Sequence, residues 1–194
     1  MTYTVLRTSI CPAPMETHMG GGGGGSSRPL LRPNLAHILE LRGFPMTDSN
    51  IRPKEIRNMA IIDDEEMVAK AMARILQSVS PAAARINVPE NGELIYPKDK
   101  NVIFLASKEE QIDFLIKHSL EAEVDLLFTD YNMPKINGGQ VSETLRNSQK
   151  FNGFIIGLTG VIQENRDPFY DCGADLVLGK PFDIETIESL FAKD

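Results

Sequence analysis

This 194-residue chain has few cysteines and no long apolar run, and basic residues are scarce in its larger, C-terminal part. Residues 59–194 carry 13 Lys and Arg against 23 Asp and Glu, a net charge near −10 that argues against nucleic acid as a partner. Cys11 and Cys172 are too few for a disulfide framework. The sequence shows neither an apolar run of about 18 residues nor a secretory signal pattern, so we expect a cytoplasmic protein without a membrane partner.

The first 56 residues are rich in the two residues that oppose regular structure. Residues 1–55 hold 6 of the 12 prolines, together with the glycine run 20–25. This composition predicts a flexible N-terminal leader, residues 1–56. Within it, Asn34 is suited to cap a short helix near residues 34–43, which would either pack on the domain or act as a docking segment.

Residues 57–194 predict one folded domain in which strands and helices alternate. Short apolar runs with no polar alternation are typical of strands that are covered on both faces, and helical spacing follows most of them. Such alternation predicts an α/β fold with a parallel sheet. The five predicted strands lie at about 59–62, 102–106, 126–130, 154–158 and 176–178.

An insert at about 81–101 interrupts the first connection between helix and strand. Asn91-Gly92 favours a tight turn between two short apolar segments, so the insert is predicted to form a hairpin, although Pro89 and Pro97 weaken that prediction. Loops from helix to strand lie at the end of a parallel sheet opposite the strand C-termini. We therefore expect the insert to lie far from Asp130.

Chemically active side chains follow the predicted strands at their C-terminal ends. Asp63 and Asp64 follow the first strand, and Asp130, Thr159 and Lys180 stand at or just after the ends of three later ones. In open parallel sheets these ends meet at one edge, where ligands bind. Three neighbouring carboxylates repel one another, and Mg²⁺ is suited to resolve this. With a lysine and a hydroxyl, the set has the parts needed to stabilise a phosphoryl group transferred to Asp130.

Four motifs together resemble the receiver domain of response regulators in two-component systems. They are Asp63-Asp64 after a strand, Asp130 to Pro134 with Gly138, Leu158-Thr159-Gly160, and Lys180-Pro181-Phe182. The resemblance implies a doubly wound, flavodoxin-like sheet of five strands in the order 2-1-3-4-5, with helices on both faces, over residues 57–194.

The resemblance also implies a role for each residue of the set. Asp130 would be the phosphoacceptor, and Asp63, Asp64, Asp130 and the backbone carbonyl of Asn132 would hold Mg²⁺. Thr159 and Lys180 would contact the phosphoryl group, and Thr159 would move on phosphorylation.

Three residues depart from the pattern of many receivers. Val177 stands where an aromatic side chain commonly moves inward with the threonine, and Pro168 falls where a helix is expected, so it must start late, kink or be short. We therefore expect transmission of the signal to differ from that of chemotaxis-type receivers. Val161 has no polar group to orient an attacking water, which predicts slow autodephosphorylation.

Three functions compete at this stage. The favoured one is a stand-alone receiver that accepts a phosphoryl group from a histidine kinase or histidine phosphotransfer protein and signals to an unidentified downstream protein by a conformational change. Such a protein is not an enzyme beyond catalysing its own phosphorylation and dephosphorylation. The alternative is a phosphorylation-independent protein-interaction module on the same fold. A phosphohydrolase is the third, but Asn132 occupies the position where the second carboxylate of those enzymes is expected.

Overall fold

Six parallel strands form one sheet at the centre of this computed structural model, which describes residues 56–191. The predicted leader, with its helix near residues 34–43, lies outside the described residues. The strands are β1 (Asn58–Ile62), β2 (Ala84–Asn87), β3 (Val102–Ala106), β4 (Val124–Asp130), β5 (Phe154–Thr159) and β6 (Leu176–Gly179). The helices are α1 (Glu66–Val79), α2 (Glu109–His118), α3 (Gly138–Asn147), α4 (Ile162–Asp171) and α5 (Ile184–Phe191).

The strands lie in the order β2-β3-β1-β4-β5-β6. Without β2, this is the predicted order 2-1-3-4-5, so the doubly wound α/β fold is confirmed. The strand count differs because β2 adds a sixth strand at the edge beside β3, paired in parallel through Ala84 with Val102 and Asn87 with Leu105.

The predicted hairpin in the insert is wrong, because β2 pairs with β3 and residues 88–98 form no strand. Only the two ends of the insert lie at the end of the sheet opposite the strand C-termini. There the amide of Ala84 donates to the carbonyl of Asn101 at 2.8 Å. Since β2 runs parallel to β3, residues 88–90 reach the same edge as Asp130, and Lys108 pairs with Glu90 at 2.6 Å. The expectation that the insert lies at the end of the sheet opposite the strand C-termini, from which its distance from Asp130 was predicted, is therefore also wrong.

Side chains alternate between the two faces of the sheet, as the period of a strand requires. On one face Ala60 and Ile62 of β1 belong to a core with α2, α3 and α4. On the other face Met59 and Ile61 pack with α1 and α5. Helices on both faces explain why the central strands are apolar at nearly every position.

Helix α4 contains Pro168 and still forms over ten residues. Proline removes one backbone donor, and the helix ends three residues later at Asp171, so the proline falls in its last turn. The helix begins at Ile162 and is as long as α2 and α3, so neither the late start nor the shortening expected from Pro168 is observed. No helix within residues 56–191 combines the length and apolar character needed to cross a membrane.

Arg146, near the end of α3, holds the edge of the sheet opposite the strand C-termini. Its guanidinium donates to Asp175 at 2.6 Å, to the carbonyls of Phe151 and Gly153 at 2.7 Å each, and to the carbonyl of Gly173 at 3.1 Å. Asp175 is buried and also accepts from the amide of Ile155 at 2.7 Å. One side chain thus joins α3 to the loops that precede β5 and β6.

A methyl group added at Gly157 should destabilise the protein. An ideal Cβ there would lie 2.6 Å from a ring carbon of the fully buried Phe169, so the strand or the ring must shift. We expect Gly157→Ala to lower the free energy of unfolding by about 1 to 3 kcal/mol, measured by urea denaturation.

Gly160→Ala is the matched control, because a Cβ at Gly160 meets nothing within 4 Å. We expect Phe169→Leu to restore part of the stability of Gly157→Ala. Equal stability of the two alanine variants would show that the ring does not constrain position 157.

Candidate functional site

The sheet brings the predicted site residues to one edge. Asp63 directly follows β1, Asp130 and Thr159 end β4 and β5, and Lys180 follows β6. The strands are parallel, and Asp130 pairs with Leu158 while Thr159 pairs with Gly179. The placement of these four residues therefore follows from strand register and requires no unusual loop.

Lys180 bridges two buried carboxylates at the centre of this edge. Its Nζ lies 2.7 Å from Oδ2 of Asp63 and 2.7 Å from Oδ1 of Asp130. Asp63 is 1% exposed and Asp130 is 6% exposed, so the two carboxylates need the ammonium group as a counter-charge. Burial alone would lower the pKa of Lys180, but its hydrogen bonds to Asp130 and Asp63 outweigh this and raise the pKa.

The acidic pair is divided between an inner and an outer position. Burial raises the pKa of Asp63, and the hydrogen bond from Lys180 opposes that rise only in part. Asp63 also accepts from the amide of Glu65 at 3.0 Å, which fixes the turn into α1. Asp64 is exposed, and its pKa is raised by partial burial and, more weakly, by the negative charge of Asp130.

Thr159 is fully buried, and its hydroxyl is engaged on the side of α4. The oxygen Oγ1 accepts from Nδ2 of Asn165 at 2.8 Å and from the amide of Val161 at 3.1 Å. The backbone of Thr159 also accepts from the amide of Lys180 at 2.6 Å, which ties β5 to the residue that bridges the carboxylates. The Lys180-Pro181 peptide bond is cis.

The loop after β4 is closed by backbone hydrogen bonds around Tyr131. Its amide donates to the carbonyl of Leu158 at 2.8 Å, and its carbonyl accepts from the amide of Gly138 at 3.1 Å. A Cβ at Gly138 would lie 2.3 Å from the carbonyl oxygen of Asp130, so this close approach requires glycine. Asn132 lies exposed in the loop.

An aromatic pair lies beneath the edge. Phe169 of α4 packs edge-on against Tyr131, with ring centroids 4.8 Å apart, and occupies the space that Gly138 and Gly157 leave open. Val177 is buried in the same core. Sequence analysis missed both Phe169 and Asn165; their signal was an apolar and an amide residue four positions apart on a helix that begins just after Thr159.

The donors at this edge fit a hard cation by their chemistry, since they are carboxylate and carbonyl oxygens. Their arrangement differs from the expected meeting of three carboxylates, because Lys180 stands between Asp63 and Asp130 while Asp64 lies outside. Across the described part of the chain, no group of three His, Cys, Asp or Glu side chains is close enough to hold a metal. Asp64 directly follows Asp63 in the loop after β1, and its side chain is exposed.

Comparison with known proteins identifies the family. The sequence profile of the response regulator receiver domain matches residues 93–192, which is more than half of the chain. The chain belongs to this family. Among curated proteins, none matches it.

Solved receiver structures share the fold of this receiver domain. Chemotaxis protein CheY4 of Vibrio cholerae is 18% identical with a TM-score of 0.53, over 70% of this chain and 96% of that one. The signal receiver domain of a response regulator from Bermanella marisrubri is 22% identical with a TM-score of 0.51, over 70% of this chain and 94% of that one. At such identities the likeness establishes the fold alone.

Proposed function

We propose that this receiver domain accepts a phosphoryl group on Asp130. The observation that carries the proposal is the pair of 2.7 Å contacts by which Lys180 joins Asp130 to Asp63 at the carboxyl edge of the sheet. A buried carboxylate that is paired with an adjacent ammonium group is suited to act as a nucleophile. The same ammonium group then faces the oxygens of an incoming phosphoryl group.

The reaction forms an acyl phosphate. A carboxylate oxygen of Asp130 attacks phosphorus, and the bond from phosphorus to the donor nitrogen or oxygen breaks as the leaving group takes the electron pair. Lys180 binds phosphoryl oxygens as a cation, and the hydroxyl of Thr159 serves as a donor to one of them. The donor is proposed to be the phosphohistidine of a histidine kinase or of a histidine phosphotransfer protein.

Mg²⁺ is the proposed cofactor. Asp63, Asp64, the carboxylate of Asp130 and the backbone carbonyl of Asn132 would hold it. When bound, the ion neutralises charge on the transferring phosphoryl group. Engagement of Asp64 requires its exposed side chain to turn toward the other two carboxylates.

The remaining parts of the proposal concern output. The receiver is proposed to act in the cytoplasm and to signal to a downstream protein by a conformational change after phosphorylation. It is also proposed to catalyse its own phosphorylation from small phosphodonors and its own dephosphorylation.

A phosphorylation-independent interaction module is the second candidate. Clustered carboxylates argue against it to the extent that they need an added cation, and here Lys180 supplies one positive charge against the two negative charges of Asp63 and Asp130. The ammonium group therefore reduces the need for a metal but leaves one negative charge uncompensated.

Intact-protein mass after incubation with acetyl phosphate or phosphoramidate separates the two candidates. We expect the wild-type protein to gain one phosphoryl group in Mg²⁺ and none in EDTA. Asp130→Asn should gain none, because the amide is not a competent nucleophile. Asp113→Asn, an exposed change on α2, is the control and should behave as wild type. No gain with either donor in Mg²⁺ would refute the phosphoacceptor role and favour the interaction module.

A further inference from the structure

The side chain of Asn165 engages the hydroxyl that the phosphoryl group is proposed to need. Its Nδ2 donates to Oγ1 of Thr159 at 2.8 Å, and the amide of Val161 donates to the same oxygen at 3.1 Å. A hydroxyl oxygen offers two lone pairs, so these two bonds use its full capacity as an acceptor. Both donors lie at the start of α4 rather than at Asp130.

The competition for Thr159 is one of position, because a hydroxyl that accepts two bonds can still donate its own proton. Its proposed role as a donor to the phosphoryl group on Asp130 directs the hydroxyl toward the open side of the edge. Its observed contacts keep it fully buried beside α4. Movement toward the phosphoryl group requires loss of the bond from Asn165, because that bond connects two side chains and cannot follow the backbone of β5.

We infer that Asn165 is a positioning residue, which holds Thr159 in the resting arrangement and releases it when Asp130 is phosphorylated. This inference rests on the proposed function. The bond from Asn165 to Thr159 should slow phosphorylation, since phosphoryl transfer must break this one ordinary hydrogen bond. It also gives the phosphorylated protein a defined change, since the amide of Asn165 loses its partner at the first turn of α4.

Helix α4 is suited to convert that change into a signal, because it contacts the site at two points one turn apart. Asn165 binds Thr159, and four residues later Phe169 packs against Gly138 and Gly157. Release of the first contact frees the start of the helix, while the second still anchors it beneath Asp130. This route needs no aromatic residue at position 177, where this chain has the buried Val177.

Two substitutions at position 165 should have opposite effects on the rate of phosphorylation by acetyl phosphate in Mg²⁺, followed by intact mass. Asn165→Ala removes the bond that holds Thr159, and we expect the rate to rise by about fivefold, the effect of one hydrogen bond of about 1 kcal/mol. Asn165→Asp places a carboxylate there, which accepts the hydroxyl proton of Thr159. We expect that variant to be slower than wild type by a similar factor.

Three controls separate positioning from a general effect on the fold. Glu164→Gln changes an exposed neighbour on the same turn and should leave the rate unchanged. In a Thr159→Val background, both substitutions at position 165 should lose their effect on the rate. In the unphosphorylated protein, Asn165→Ala should also speed hydrogen exchange at the amide of Val161, and thermal unfolding will show that each variant is folded.

The outcomes distinguish the inference from the proposed function. A phosphorylated wild type whose rate is unchanged by both substitutions, or changed in the same direction by both, overturns the role of Asn165 alone. Persistence of the effects in the Thr159→Val background overturns it as well. A wild type that gains no phosphoryl group refutes the proposed function and the inference together.

Discussion

Lys180→Met should lower the free energy of unfolding by about 3 kcal/mol in the absence of divalent cations. The change removes the only ammonium group that the structure places within 2.7 Å of both Asp63 and Asp130 among residues 56–191. Both carboxylates are buried, so each would remain charged without a partner or would have to take up a proton. Urea denaturation in EDTA measures the loss.

Mg²⁺ should raise the free energy of unfolding of Lys180→Met more than it raises that of the wild type. In the variant a bound divalent cation replaces the missing positive charge, and binding to the folded state alone stabilises it. The added change Asp63→Asn should also recover stability, because it removes one of the two unpaired charges. Lys70→Met is the control: Lys70 forms an exposed pair with Glu66 in α1, and such pairs contribute little.

Two results would contradict this account of the edge. If Lys180→Met unfolds at the same urea concentration as wild type, the two carboxylates do not depend on the ammonium group. If Mg²⁺ stabilises both proteins equally, the cation does not take over the role of Lys180, and its proposed place among the carboxylates is wrong.

Arg146→Met should lower the free energy of unfolding by about 3 to 5 kcal/mol, which is the other large effect that the structure predicts. The guanidinium makes hydrogen bonds to Asp175 and to three backbone carbonyls, and Asp175 lies 9% exposed. Methionine preserves much of the packing volume but leaves a buried carboxylate without its cation. Thermal or urea unfolding of the variant measures the cost.

Arg146→Lys tests whether the fork of donors or the charge alone is needed. A lysine retains the charge but cannot reach several fixed carbonyls at once, so we expect most of the loss to remain. Adding Asp175→Asn to Arg146→Met should recover part of it, whereas Arg74→Met, an exposed change on α1, should be within about 0.5 kcal/mol of wild type. A small effect of Arg146→Met would show that water can replace the guanidinium at this edge.

The positions of the main site residues could be predicted because they depend on local patterns. Apolar runs define β1, β4 and β5, and the direction of parallel strands then brings Asp63, Asp130 and Thr159 to one edge. Neither step needs knowledge of side-chain contacts. The same logic predicted five of the six strands, whereas their order was implied by the family resemblance.

Other features depend on contacts that no local pattern encodes. Lys180 is 117 residues from Asp63 in sequence. Its ammonium group reaches Asp63 and Asp130 only because β6 lies beside β5 in the sheet. Arg146 has the appearance of an ordinary residue near a helix end in the sequence, since its acceptors come from two separate loops, before β5 and before β6. Strand β2 is four residues long, with every second side chain exposed, and its pairing with β3 competes with the turn that Asn91-Gly92 favours.

The added strand also changes what the sheet offers to other chains. Without β2, the outer side of the five-residue, fully buried β3 would be a row of unpaired backbone groups, a template for association of one sheet with another. With β2 in place, that boundary is a shorter strand that carries the exposed Arg85 and Asn87 and lies between Pro81 and Pro89. Charge, short length and nearby proline all disfavour growth of the sheet by further strands. By covering the apolar β3, β2 therefore leaves the sheet with an outer strand that is less prone to aggregation.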